Sequence, residues 1–213
     1  MMKRIVYAFL LLLPVLSQAE SRISMRDWMV AMPDSVMPLL SKNNRLDFID
    51  FYDAKMEASV TNRLEGKSCM DVLTDDYVSI RYTKTTDVAM KLLPLNDTTD
   101  VLCMVTTVKA SADDSRIAFF DSCWRPLEVT SYIAEPNIED FCSTVQGDST
   151  EWVWSKIDVL LRTYHLCAKG TDLKCTLTAT DYLLANDKEE MLPYVRREPI
   201  VYRWIDGKYR RYE

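Results

Sequence analysis

From residue 77 onward, apolar and polar residues alternate along most of the chain. This alternation is typical of strands that pack one face on a core, and β-branched and aromatic residues dominate the runs. The dipeptide Asp206-Gly207 predicts a two-residue hairpin turn, since both central positions of that turn need positive φ. The pattern predicts strands at residues 77–84, 87–95, 101–109, 116–122, 160–168, 172–180, 193–203 and 208–212.

Helices are predicted before the first of these strands. Pro33-Asp34-Ser35 can start a helix over residues 34–42. A second helix is indicated by apolar residues at helical spacing, namely Leu46, Ile49, Phe51, Tyr52 and Met56. Because helices do not alternate with the strands one by one, the fold class predicted is α+β.

Two stretches of the chain match at a shift of 85 residues, which suggests an internal repeat. Residues 82–88 match 167–173, and residues 119–125 match 204–210. We therefore expect two tandem related halves, each an antiparallel sheet of about four strands preceded by helices. The halves would be residues 20–130 and 131–213. Chance similarity is the alternative, because alternating strands resemble each other in any case.

The first nineteen residues read as a signal peptide. Lys3 and Arg4 precede an apolar run over residues 5–16, and Ser17-Gln18-Ala19 supplies small residues at a cleavage site. The run is shorter than the roughly 20 residues of a membrane span, which disfavours a retained anchor. We expect an exported, periplasmic or secreted protein. It should not be a lipoprotein, since the first cysteine is Cys69, and no later segment is long and apolar enough to cross a membrane.

Composition and charge exclude several classes of function. The formal charge of −6 repels phosphate backbones, so nucleic acid is not expected as a partner. The four glycines lie far apart, which rules out a glycine-rich phosphate loop, and His165 is the only histidine. We expect no metal and no cofactor.

Six cysteines in an exported chain permit disulfides. A hairpin centred on residue 171 would place Cys167 opposite Cys175, and one centred on residue 113 would place Cys103 opposite Cys123. Facing positions have suitable Cα separations, although the side-chain geometry is demanding. Buried free thiols are the alternative.

The N-terminal two thirds of the chain also carry a set of core and turn motifs. These are residues 32–40, 44–51, 76–80, 90–94 and 105–108, with Asp114-Ser115 and Trp124. Together they resemble an uncharacterised family of secreted proteins from Bacteroidales-type bacteria, a domain of unknown function. The resemblance covers residues 25–127 well and the second half weakly. It implies an envelope location and an α+β fold, and it carries over no catalytic residue.

Two acidic pairs are candidates for acid and base chemistry, Asp75-Asp76 and Asp113-Asp114. Adjacent carboxylates usually point apart or cap turns, so solvated turns are the favoured interpretation. His165 and Cys167 lie two residues apart on one predicted strand, but no third group or oxyanion loop is evident for a nucleophilic dyad.

The C-terminal hairpin is the most unusual surface in the sequence. Residues 196–213 hold six basic and three acidic side chains. The predicted turn pairs Arg203 with Arg210 and Trp204 with Tyr209, and opposed arginines destabilise a hairpin unless anions neutralise them. Acidic residues of the same molecule could do so while the aromatic residues pack on the core. Alternatively, the hairpin receives an anionic or carbohydrate partner, with Trp204 or Tyr209 as a stacking platform.

The sequence thus favours an exported, non-enzymatic protein that binds another envelope macromolecule or saccharide, an unidentified partner. A carboxylate-dependent hydrolase of the cell envelope is the alternative, and a purely structural envelope component is a third possibility. A pocket with two close carboxylates, one with a raised pKa, would favour the hydrolase. An open sheet face with exposed aromatic residues would favour binding.

Overall fold

The computed structural model describes residues 22–142 and 155–212. These residues build two antiparallel sheets and a few short helices. The first sheet is a meander of seven strands: β1 (Ser59–Thr61), β2 (Lys67–Leu73), β3 (Tyr77–Arg81), β4 (Thr86–Pro94), β5 (Asp100–Val108), β6 (Asp114–Phe120) and β7 (Pro126–Leu127). The second sheet has the order β11-β10-β9-β8, formed by β8 (Arg162–Leu166), β9 (Leu173–Leu177), β10 (Ile200–Ile205) and β11 (Lys208–Tyr212). The α-helices are α1 (Met25–Ala31), α2 (Lys42–Asp53) and α3 (Ala185–Met191).

The seven-stranded sheet is the middle of three layers. One of its faces packs against α1 and α2 around Trp28 and Phe48. The opposite face packs against the four-stranded sheet in a second core. Strand β5 shows the division, because Leu102 and Met104 point to the helices while Cys103 points to the second sheet. Both faces of the central strands are therefore buried.

Serine side chains begin both N-terminal helices. Ser24 caps α1 and Ser41 caps α2. In each case the side chain three positions later accepts a hydrogen bond from the backbone N–H of the capping serine. The second predicted helix is confirmed as α2, although it begins at residue 42. The helix predicted over residues 34–42 is wrong, because that segment forms turns. Pro38 within it removes a backbone donor and disfavours the helical conformation of the residue before it.

A buried arginine holds these turns in place. Arg45 is 1% exposed, and its guanidinium donates to the carbonyls of Met29 at 3.0 Å and Leu40 at 2.8 Å. It also donates to the carbonyl of Met32 and to Asp34 Oδ1, the latter at 3.0 Å. Hydrogen bonds from the Arg45 side chain, and not the backbone hydrogen bonds of a helix, thus hold the loop between α1 and α2.

The predicted α+β fold of two tandem related halves is wrong. The sheets have seven and four strands, the helices are short, and α1 and α2 precede only the first sheet. The shift of 85 residues does align β3 with β8 and β6 with β10. However, the counterpart of β5 is the polar stretch at residues 185–193, which forms α3, so β10 pairs directly with β9. The strand orders consequently differ.

Most predicted strands are present, with some shifts. Strands β3 to β6, β8, β9 and β11 overlap their predicted ranges, and the turn at Asp206-Gly207 has positive φ at both residues. The strand predicted at 193–203 is displaced to β10 at 200–205. Strands β1, β2 and β7 and helix α1 were not predicted.

The predicted signal peptide, residues 1–19, lies outside the described residues.

The predicted cysteine pairings are wrong in register. Cys175 pairs with Tyr164, and Cys103 pairs with Phe119. The β8–β9 turn is centred before Gly170, whose φ is +79°, so Cys167 falls at the end of β8 instead of opposite Cys175. Cys69, Cys103, Cys123, Cys167 and Cys175 carry free thiols in this structure.

Within residues 22–142 and 155–212, no helix combines the length and the hydropathy needed to span a membrane.

Candidate binding face on the four-stranded sheet

The two sheets differ sharply in charge. The strands of the four-stranded sheet carry six Lys or Arg residues and no Asp or Glu. The strands of the seven-stranded sheet carry four basic and four acidic residues. Since the whole chain has a formal charge of −6, the positive charge of the second sheet is a local feature of one surface.

Alternation along the strands divides these cations between the two sides of the sheet. Inner residues such as Tyr202 and Leu173 enter the core, whereas their neighbours point to solvent. Four cations share the outer side with His165, two threonines and Tyr212, and the apolar residues Val201 and Ile205 lie between them. We call this surface the basic face: Thr163, His165, Lys174, Thr176, Arg203, Lys208, Arg210 and Tyr212.

The arginines of the basic face are only weakly neutralised by the chain itself. Arg203 lies directly opposite Arg210, and its guanidinium carbon stands 3.4 Å from the ring centroid of Tyr212. The Arg210 guanidinium is 3.6 Å from the carboxylate of Asp206, which is itself 80% exposed. Within the described residues, no carboxylate lies within 4.0 Å of Lys174, Arg203 or Lys208. An exposed pair at 3.6 Å contributes little, so Asp206 neutralises Arg210 only weakly.

The structure separates the predicted binding residues into two groups. Arg203 and Arg210 lie exposed on the basic face, but Trp204 and Tyr209 lie on the inner side. Trp204 donates from Nε1 to the carbonyl of Pro94 at 2.7 Å and stacks on Tyr132. Tyr209 is 4% exposed and has no surface for a ligand. The aromatic pair therefore anchors the hairpin to the first sheet and does not form a stacking platform.

Of the basic face, sequence reasoning assigned only Arg203 and Arg210 to a binding surface and left out the other six residues. Tyr212, 51% exposed, is its aromatic group, and Lys174 and Lys208 complete its charge. Tyr212 lies two residues beyond Arg210 on β11, so the period of two already indicated a shared face. Lys174 could not be assigned to the face without knowing that β9 pairs with β10.

The acidic pair Asp113-Asp114 does not form a catalytic site. Asp113 Oδ1 accepts from the backbone of Ala110 in the β5–β6 turn at 3.1 Å. Asp114 Oδ1 accepts from the backbone N–H of Arg162 at 3.2 Å. The two side chains stabilise different segments, as adjacent carboxylates at a turn commonly do.

The other pair, Asp75-Asp76, lines a pocket with Asp100. The pocket has a volume of about 430 Å³ and also includes Arg22 and Thr171. Burial raises the pKa of the Asp100 carboxyl, Arg22 at 3.5 Å opposes that shift, and the charge of Asp76 adds to it. The pocket thus holds three carboxylates, of which Asp100 has a raised pKa.

A buried lysine pairs with one of the carboxylates of this pocket, Asp76. Lys91 is 1% exposed, and its ammonium lies 2.7 Å from Asp76 Oδ2 and donates to the carbonyl of Ala168 at 3.0 Å. The Ala168 carbonyl belongs to the β8–β9 turn. Lys91 therefore joins the two sheets, and Asp76 is the counter-ion that this buried charge needs.

His165 and Cys167 do not form a hydrogen bond in the described part of the chain. His165 lies exposed on the basic face, while Cys167 follows the end of β8 and donates its backbone N–H to Asp172 at 3.2 Å. No three His, Cys, Asp or Glu side chains come together as a metal site among residues 22–142 and 155–212.

The family described as "Protein of unknown function (DUF3256)" matches residues 17–209. The chain belongs to this family. The match to DUF3256 extends beyond the region of the sequence resemblance and includes both sheets, so the four-stranded sheet is part of the family's fold.

One solved structure adds to this assignment. The chain is similar to a domain of an uncharacterized protein from Porphyromonas gingivalis W83, with a TM-score of 0.80 and 26% identity. The similarity covers 90% of this chain and 99% of that one. No curated protein matches the chain. The resemblance to an uncharacterised family with a Bacteroidales member is thus confirmed, and the secretion of its members stays a prediction.

Proposed function

We propose that this protein is exported and binds an acidic saccharide of the cell envelope through the basic face. The carrying observation is the charge of the four-stranded sheet, whose strands hold no carboxylate and place four of their six cations on the basic face, in a chain of net charge −6. A concentration of one sign of charge on one surface raises the local concentration of oppositely charged partners.

The shape and chemistry of the face favour a saccharide. It is an open sheet surface, and the exposed ring of Tyr212 offers an apolar contact beside the guanidinium of Arg203. An arginine guanidinium can bind a carboxylate or phosphate through two parallel hydrogen bonds, which suits the acidic groups of a charged sugar. The threonines of the face add hydroxyl groups that can exchange hydrogen bonds with sugar hydroxyls.

A titration of the whole chain with tetragalacturonate, with neutral maltotetraose as the comparison, tests this proposal. We expect binding of the acidic sugar only, weakening as salt is raised. Arg203→Ser combined with Arg210→Ser should weaken binding at least about tenfold, or about 1.4 kcal/mol. The melting temperature should not fall, because removing opposed like charges relieves repulsion.

Arg116→Ser is the matched control. Arg116 is an exposed arginine on β6, away from the basic face, and its loss should leave binding unchanged. Equal binding of both sugars, or equal loss in the control and the double variant, would contradict the proposal. An acidic protein in place of the sugar would appear as binding to polyglutamate but not to tetragalacturonate.

The pocket of Asp76 and Asp100 favours a second candidate function, a carboxylate-dependent hydrolase. Glycosidases use two neighbouring carboxyl groups, one of raised pKa, and burial raises the pKa of Asp100 in this pocket. The basic partners of these groups, Arg22 and Lys91, instead support a role in holding the layers together. Asp100→Asn would abolish hydrolysis of an envelope polysaccharide if the pocket were catalytic. It should leave tetragalacturonate binding intact in either case.

A further inference from the structure

Three cations of the basic face lie on one straight line that crosses the sheet diagonally. Lys208 of β11 pairs with Ile205, and Arg203 lies two residues before Ile205 on β10. Val201 lies two residues before Arg203 and pairs with Lys174 of β9. Each step from one cation to the next therefore crosses one strand and advances two residues in the same direction. We call the line through Lys208, Arg203 and Lys174 the diagonal.

The cations of the diagonal are evenly spaced. A strand separation of about 4.8 Å and a rise of about 3.4 Å per residue place neighbouring Cα atoms of the diagonal about 8 Å apart. Arg210 pairs with Arg203 and so doubles the charge at the middle position. The ring of Tyr212, 3.4 Å from the guanidinium carbon of Arg203, holds that guanidinium in place. The diagonal thus presents three cationic positions, of which the middle one is the strongest.

Other straight lines across the basic face hold fewer cations. A line directly across the strands from Arg210 through Arg203 reaches Asp172, because Asp172 precedes Leu173 and Leu173 pairs with Tyr202. On this face, a line along β11 holds two cations, and a line along β8, β9 or β10 holds at most one Lys or Arg. A linear anion is therefore attracted most strongly along the diagonal.

The intervals between these cations lie beside apolar side chains. Ile205, 44% exposed, borders the first interval, and Val201 borders the second. Because a pyranose residue lengthens a chain by about the 4.8 Å that separates two strands, an interval of about 8 Å is nearer to two sugar residues than to one. The pattern of charged position, apolar contact and charged position thus matches a glycan in which acidic and uncharged sugars alternate.

We propose that the basic face binds a linear acidic glycan along the diagonal, with an acidic group on every second sugar residue. This inference rests on the function proposed above and adds the orientation of the chain and the spacing of its acids. The acids bind at Lys208, at the pair of Arg203 and Arg210, and at Lys174. Tetragalacturonate, which has an acid on every sugar, still binds because its alternate acids reach neighbouring positions.

Two oligosaccharides of equal length test the spacing. Hyaluronan hexasaccharide carries three acids on alternate sugars, and hexagalacturonate carries six acids on consecutive sugars. NMR titration of the whole chain should show that hyaluronan hexasaccharide binds at least as tightly, whereas attraction by total charge alone would favour hexagalacturonate. Lys174→Ser and Lys208→Ser should each weaken hyaluronan binding about fivefold. Lys169→Ser, at an exposed lysine of the β8–β9 turn, is the control and should leave it unchanged.

Two threonines provide a matched test of direction. Thr163 and Thr176 pair on the outer side of β8 and β9, but only Thr163 continues the diagonal, one strand and two residues beyond Lys174. Thr163→Lys should tighten the binding of hyaluronan octasaccharide, which has a fourth acid, about fivefold. It should change hexasaccharide binding by less than about twofold, and Thr176→Lys should change the binding of either sugar by less than about twofold.

The outcomes separate this inference from the proposed function. Tighter binding of hexagalacturonate, unchanged binding in Lys174→Ser and Lys208→Ser, or equal gains in the two threonine variants would overturn the diagonal and leave the proposed function in place. If no acidic saccharide bound, or if the double variant of Arg203 and Arg210 bound as tightly as the parent chain, the proposed function would fail and this inference with it.

Discussion

At the scale of single residues, two buried cations organise parts of the fold that the apolar pattern did not predict. Arg45 and Lys91 are each 1% exposed, and both bind backbone carbonyls of other segments. Their neighbours in sequence follow ordinary helix and strand patterns, in which a charged residue reads as solvent-facing. Lys91 binds the carbonyl of Ala168 far along the chain, and Arg45 binds carbonyls of the irregular loop before α2, so the apolar pattern could not identify these partners.

Replacing Arg45 tests the first of these cations. Arg45→Met should lower the free energy of unfolding by about 3 kcal/mol, because three buried carbonyls lose their donor. Urea denaturation measures the loss. Arg63→Met, at an exposed arginine that also pairs with Asp34, should cost less than about 1 kcal/mol. Equal losses in both variants would show that Arg45 does not organise the loop.

For the buried pair of Lys91 and Asp76, we expect the two single replacements to lower the free energy of unfolding by different amounts. Asp76→Ala leaves a buried ammonium without its counter-ion and should cost about 2 kcal/mol of unfolding free energy. Lys91→Met removes the buried charge itself and leaves an Asp76 side chain that is 51% exposed to water. It should therefore be the milder change in urea denaturation. A larger loss for Lys91→Met than for Asp76→Ala would contradict this interpretation.

At the scale of elements, strands and hairpins were predictable and their partners were not. The alternation and the Asp206-Gly207 turn gave β10–β11 its register, with Arg203 opposite Arg210 as predicted. The supposed repeat failed because alternation does not specify which strand lies beside which. The stretch at 185–193 forms α3 in place of a strand, and this single change reorders the second sheet.

The glycines of two hairpin turns allow a matched pair of alanine variants. Gly207 and Gly170 both have positive φ, at +72° and +79°, which a side chain disfavours. A Cβ at Gly207 would lie 3.3 Å from Leu95 Cδ2, and one at Gly170 would meet nothing within 4 Å. Since the Leu95 side chain can move, each alanine variant should lose about 1 kcal/mol by thermal denaturation. An unchanged melting temperature in either would contradict the assigned turn geometry.

The thiol and the tyrosines buried between the two sheets predict that the folded chain loses stability at high pH. Burial raises the pKa of Cys175 to about 12 and of Tyr202 to about 12, and it raises the pKa of Tyr164 and Tyr209 as well. The unfolded chain therefore releases these protons at lower pH than the folded chain. The stabilisation is complete below about pH 9 and is lost as pH rises toward 12.

Cys175→Ala should reduce this alkaline slope of unfolding free energy by about 1.4 kcal/mol per pH unit between about pH 9 and 12. Urea denaturation at several pH values measures it. Cys123→Ala, at an exposed cysteine in the turn after β6, is the control. If both variants kept the slope of the parent chain, the Cys175 thiol would not be the buried group described here.

At the scale of the whole molecule, the sequence predicted the polarised charge but not the surface that presents it. The basic hairpin was evident from composition, whereas the basic face needs β9 paired to β10 and the inner side of the sheet buried on β4 and β5. That stacking also explains why Trp204 and Tyr209 anchor the hairpin. The packing of two sheets depends on many distant contacts, none of which a local pattern records.

The account rests on an acidic ligand seated on the outer side of the four-stranded sheet. Chemical-shift mapping of the whole chain during titration with tetragalacturonate tests this claim most directly. The account predicts that the shifted resonances cluster on Lys174, Arg203, Arg210 and Tyr212, with small changes at Asp76, Asp87 and Asp100. Shifts centred on the carboxylate pocket, or no shifts at low salt, would contradict it.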